Sequence, residues 1–177
     1  MKRLVTALAG VGLMLALTPP AVAPAAGNNA TTLTPLPDGT QLETFSRLDC
    51  HPANGSCDFT VGADRKSGDG VIGFPNDLWS RQSTTIRPNS RTAYLDVHAT
   101  AQYDRVMKDG GADEVTTIYM GEGPPEKYQT VGRIDATDWH TGQPRLNINV
   151  ISCTHIQVVY SGVNITSPST CAQANFS

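Results

Sequence analysis

The segment Cys50-His51-Pro52-Ala53-Asn54-Gly55-Ser56-Cys57 constrains this chain more than any other. Asn-Gly is a strong signal for a tight reversal between two strands, and a cysteine on either side of it would face its partner across the ladder so formed. Only two other cysteines occur, Cys153 and Cys171. Four cysteines allow three pairings, and the turn favours Cys50–Cys57 with Cys153–Cys171 over the crossed alternatives. A metal or redox use of the four is disfavoured, because there is no Cys-x-x-Cys and no Cys/His group at zinc spacing.

Disulfides imply an oxidising compartment, and the N-terminus agrees. Lys2-Arg3 precede the apolar run Leu4–Leu17, and Ala23-Pro24-Ala25 offers small residues for cleavage, so residues 1–26 read as a secretory signal peptide. The run is shorter than the roughly 20 residues a membrane helix needs, and no transmembrane segment is expected downstream. No cysteine near the cleavage site offers a lipid anchor, so the mature chain is expected to be secreted. Without Lys2 and Arg3, 11 basic side chains face 16 acidic ones. That balance argues against a nucleic-acid partner or an acidic membrane surface.

Beyond residue 26, Thr, Val and Ile number 36 together and Leu seven. Side chains branched at Cβ are stiff and suit a pleated surface, so the composition reads β. Residues 27–39 lack periodicity and read as a flexible leader before a single domain over 40–177. Strands are expected at Gln41–Leu48, Cys57–Val61, Arg91–Tyr103, Glu114–Met120, Tyr128–Ile134, Leu146–Ile151 and Ile156–Tyr160. The clearest is the third, where Ala93, Leu95, Val97, Ala99 and Ala101 alternate with Tyr94, Asp96, His98, Thr100 and Gln102. Between Gly62 and Asn89 the pattern dissolves into a long connection, and Asp104–Asp113 and Asp135–Pro144 read as loops. About seven or eight short strands with turn signals between them indicate an all-β, antiparallel, immunoglobulin-like sandwich, stapled by two disulfides.

Familiar catalytic motifs are missing: no Gly-x-Ser-x-Gly, no His-Glu-x-x-His and no phosphate-cradling glycine loop. Asp96 and His98 share a strand face and, with His155 as a third group, form the best metal-ligand candidate, for a metal carrier or hydrolase. A solvated strand face is the commoner meaning of that pattern. His51 falls in the Cys50–Cys57 turn and is expected to be exposed. Asp104, Asp109, Asp113 and Glu114 supply hard oxygen ligands, as does the stretch Asp64–Gly70, but neither matches a calcium-loop spacing. No cofactor is expected. Trp79, Trp139 and His140 sit beside polar residues in apparent loops. Together with the loop after Tyr103 they form the candidate surface for a protein or glycan partner at the envelope. The alternative for each Trp is to cap one end of the core.

Four Asn-x-Ser/Thr triplets begin at Asn29, Asn54, Asn164 and Asn175, and the bacterial style of the leader argues against glycans on them. With its signal peptide, its Thr/Ala/Pro/Gly usage and its two cysteine pairs, the chain resembles small exported β-domain proteins of high-G+C Gram-positive bacteria, the mycobacterial type in particular. The resemblance implies an exported domain, free or part of a larger envelope assembly, and carries no functional residue with it.

Overall fold

A computed structural model describes residues 28–176 apart from 52, 54, 103, 104 and 109–113. The expected signal peptide, residues 1–26, and the acidic residues Asp104, Asp109 and Asp113 therefore lie outside the described residues. The described residues form twelve strands: β1 (Asn29–Pro35), β2 (Gln41–His51), β3 (Ser56–Ser67), β4 (Gly70–Ile72), β5 (Trp79–Pro88), β6 (Ala93–Thr100), β7 (Arg105–Lys108), β8 (Glu114–Met120), β9 (Gln129–Asp138), β10 (Asn149–Tyr160), β11 (Val163–Thr166) and β12 (Thr170–Asn175). A 3-10 turn, Pro125–Tyr128, precedes β9.

All pairings are antiparallel and form two six-stranded sheets. The first runs β1-β2-β3-β9-β6, with β4 on the far end of β3. The second runs β11-β10-β5-β8-β7, with β12 beside β11 on the same edge of β10. The two sheets stack as a sandwich, as the alternating composition requires. The strand count exceeds the expected seven or eight for specific reasons. The leader is not a loose tail from Asn29 onward, because seven of its residues pair with β2 as an edge strand. The supposed connection from Gly62 to Asn89 contains the end of β3, all of β4 and all of β5. The last two expected strands are one twelve-residue strand, β10.

Both disulfides form as the local pairing requires, with Cys50 opposite Cys57 and Cys153 opposite Cys171. Each joins neighbouring strands of one sheet, so neither crosses the sandwich in the manner of an antibody domain.

The interior is divided. One apolar cluster gathers Leu48, Phe59, Val61, Ile86, Leu95, Ile134 and Phe176 at one end. A second gathers Leu42, Phe74, Leu78, Tyr119, Tyr128, Ile156 and Tyr160 at the other. Each fully buried large apolar side chain stabilises by about 1.5–3 kcal/mol. Hydroxyls and amides occupy the zone where the sheets meet between them. Ser46 Oγ of β2 donates to the Ser152 carbonyl of β10 at 3.0 Å, and Thr84 and Thr154 hydroxyls meet at 2.9 Å. Phe59 lies over Gly132 of the neighbouring strand. A Cβ at Gly132 would collide with the His98 carbonyl oxygen and approach Phe59 Cε1 to 2.6 Å, so glycine is required there by close packing.

Candidate functional site

β9 ends at Asp138, and the chain reverses through a turn that its carboxylate organises. Asp138 is buried, and Oδ1 accepts from the His140 backbone N–H at 3.0 Å, the Thr141 N–H at 2.9 Å and the Thr141 hydroxyl at 3.1 Å. Oδ2 accepts from Arg145 Nη1. The Thr141 backbone bond leads the forces that hold the Asp138 carboxyl below the usual carboxylate range; burial opposes it, and the His140 and Arg145 contacts add to it. Backbone bonds from Asp138 N–H to the Gln143 carbonyl and from Gly142 N–H to the Asp138 carbonyl close the turn. Gly142 has φ +68°, a conformation that favours glycine.

This frame presents Trp139. Its backbone N–H donates to the Thr92 carbonyl at 3.1 Å, yet the residue is 70% exposed, so it caps no core. His140 beside it is exposed too. Tyr94 of β6 stands exposed opposite Thr137, two residues before Trp139. Aromatic residues held exposed on a fixed backbone are the usual anchors of recognition surfaces.

Trp79 lies elsewhere. It opens β5 rather than a loop, is 37% exposed, and pairs with Met120 of β8 and Val159 of β10. That is the end occupied by Leu78 and the second apolar cluster, whereas Trp139 follows Ala136 at the end of the first. The two tryptophans therefore mark opposite ends of the sandwich, and the structure does not bring them into one surface. The segment after Tyr103 is also partly strand, with β7 beginning at Arg105.

Asp96 and His98 do meet: His98 Nε2 lies 3.1 Å from Asp96 Oδ2 on the outer face of β6. His155 does not join them, because it projects from the outer face of the other sheet. Among the described residues no group of three His, Cys, Asp or Glu side chains converges as a metal site. The stretch Asp64–Gly70 is a tight β3–β4 hairpin, where Lys66 pairs with Glu43 at 3.2 Å. Glu114 begins β8. His51, as expected, is partly exposed, with Nε2 3.2 Å from Asp58.

Reading the sequence alone missed Tyr94 and Asp138. Asp138-Trp139-His140-Thr141-Gly142 carried the available signal, since an Asp whose side chain bonds the backbone two and three residues on is a common turn builder.

No family model and no curated protein matches the chain in sequence. Its fold is similar to that of a solved chain described under "pH-induced modulation of Streptococcus parasanguinis adhesion by Fap1 fimbriae", at 7% identity and a TM-score of 0.36, covering 83% of this chain and 88% of that one. A likeness of that degree carries no functional argument. No helix among the described residues is long and apolar enough to cross a membrane.

Proposed function

We propose that the protein is an exported, non-enzymatic β-sandwich that binds a protein or glycan partner at the cell envelope or in the surrounding medium, through the Trp139 turn. The observation that carries this reading is the exposure of Trp139 in a turn held by four bonds to the Asp138 carboxylate, two of them from backbone N–H groups. Holding a large apolar ring in water has no folding benefit, and holding it rigidly reduces the ordering cost of association. The exposed His140 and Tyr94 extend the contact area around it.

Capture from an envelope fraction by immobilised mature protein, with Trp139→Ala alongside, tests the proposal. A partner retained by the wild type and lost at least tenfold by the variant supports it. Equal retention by both removes the turn from the binding surface.

A further inference from the structure

The outer face of the second sheet carries a groove of about 350 Å³ lined by Arg81, Ser83, Glu114, His155, Gln157 and Thr166. Its residues come from four strands in register: His155 lies opposite Ser83, and Gln157 lies between Arg81 and Thr166. Every one of these side chains can donate or accept a hydrogen bond. Arg81 and Glu114 make no ion pair with any described residue, although surface charges of opposite sign are available in this acidic chain. Gln157 is already oriented, its Nε2 donating to Asn164 Oδ1 at 3.0 Å, which leaves its Oε1 as an acceptor. Two residues before Arg81 on the same strand, about 7 Å away, stands the exposed ring of Trp79, flanked by Met120.

From this juxtaposition we infer that the groove binds an acidic sugar, with Trp79 stacking on one ring and Arg81 pairing with a carboxylate. The chemistry selects that class. Volumes of roughly this size suit small ligands held by a few convergent polar groups. A guanidinium presents a planar fork matched to a carboxylate. Hydroxyl, amide and carboxylate groups along the remaining wall satisfy sugar hydroxyls as both donors and acceptors, and an aromatic ring beside them covers the apolar face of a pyranose. A neutral ligand would leave Arg81 unpaired. The inference is independent of the Trp139 turn, which lies at the other end of the sandwich.

Calorimetric titration of the mature protein with trigalacturonate, and with its fully methyl-esterified form, tests the assignment. The acidic trisaccharide is expected to bind, and the ester, of the same shape without charge, at least tenfold more weakly. Arg81→Gln and Trp79→Ala are each expected to weaken trigalacturonate binding about tenfold. Arg81→Lys, which keeps the charge and loses the fork, is expected to fall between Arg81→Gln and wild type. The inference is overturned by absence of trigalacturonate binding, by equal affinity for acid and ester, or by an unaltered Arg81→Gln titration. Binding of a Glu-rich hexapeptide in place of the sugar, or self-association abolished by Arg81→Gln, overturns it too.

Discussion

The Gln82 side-chain amide of β5 donates to the Thr130 hydroxyl of β9 at 3.1 Å, joining the two sheets through the middle of the sandwich. The same hydroxyl meets Thr117 Oγ1 at 2.7 Å and Tyr119 Oη at 2.7 Å. A hydroxyl has one proton and two lone pairs, so Thr130 uses its whole capacity on three partners from the opposite sheet. Replacing it with the isosteric Val removes one buried hydrogen bond each from Gln82, Thr117 and Tyr119. Thr130→Val is expected to cost about 2–3 kcal/mol, at the upper end for loss of buried hydrogen bonds. Urea unfolding with an unchanged m-value checks it, and a variant as stable as wild type would show the hub to be dispensable.

This buried polar zone explains why part of the fold was illegible in the sequence. β5 places Ser80, Gln82 and Thr84 inward and Arg81, Thr85 and Arg87 outward. Both faces are polar, so the period-2 contrast that marks a half-buried strand vanishes, and Trp79 reads as a loop residue. β1 fails for a related reason, since Ala30, Thr32 and Thr34 face in and give no hydrophobic signal. β6, with Leu95 and Val97 inward, was plain, as were both cysteine pairs. The loop expected at Asp135–Pro144 holds around Trp139, but β9 runs on to Asp138, because Ala136 and Asp138 face in with no apolar contrast strong enough to extend the pattern; the Arg81 groove is invisible because it depends on register between β5, β10 and β11, which no local pattern encodes.

A second tie between the sheets lies at the far end, where the Tyr160 hydroxyl of β10 donates to Asp38 Oδ2 at 2.8 Å. Burial alone would raise the Asp38 carboxyl, but bonds from the Thr40 side chain and backbone, Tyr160 and Arg65 hold it far below the usual range. Burial, then the Asp38 contact, pushes the Tyr160 phenol up to about 12. The depressed acid contributes stability that is present at neutral pH and lost as pH falls below about 4. The raised phenol contributes stability that is lost as pH rises from about 10 towards 12. Asp38→Ala is expected to cost about 1–2 kcal/mol at pH 7 and to flatten the acid limb of a stability profile. Tyr160→Phe is expected to cost about 1 kcal/mol and to flatten the alkaline limb. Denaturant midpoints measured across pH check both.

Asp64 behaves oppositely. It sits directly across from Glu43, and burial first, then the Glu43 charge, raises its carboxyl above the usual value. Its charged form is therefore a cost that appears as pH rises through about 4. Asp64→Asn is expected to stabilise the domain at pH 7 by up to about 1 kcal/mol and to have no stabilising effect at pH 3. Thermal melts at the two pH values decide it; a lower melting temperature at pH 7 would contradict it.

The disulfides differ in the loops they close, with sequence separations of 7 for Cys50–Cys57 and 18 for Cys153–Cys171. Chain entropy assigns about 2 kcal/mol to the first and about 3 kcal/mol to the second. The double variant Cys153→Ala/Cys171→Ala is thus expected to be the less stable of the two cysteine-pair variants, by about 1 kcal/mol in guanidinium unfolding. The reverse order would place the weight on the Asn-Gly hairpin.

The Asp138 turn gives a reading that separates rigidity from stability. Its carboxylate is charged and bonded at neutral pH, and because the Thr141 backbone bond and the other contacts hold it below the usual carboxylate range, protonation and loss of the bonds to His140, Thr141 and Arg145 come at a lower pH than for an ordinary aspartate. Trp139, carried on that backbone, reports the change directly. In a Trp79→Phe background, leaving Trp139 as the sole tryptophan, steady-state fluorescence anisotropy is expected to stay constant from pH 7 to about 4 and to fall at lower pH before far-ultraviolet dichroism changes. Asp138→Ala is expected to show the low anisotropy already at pH 7, with the sheet signal retained. An anisotropy in that variant equal to its parent's would show that the turn is held by its backbone bonds alone, and that the carboxylate does not orient Trp139.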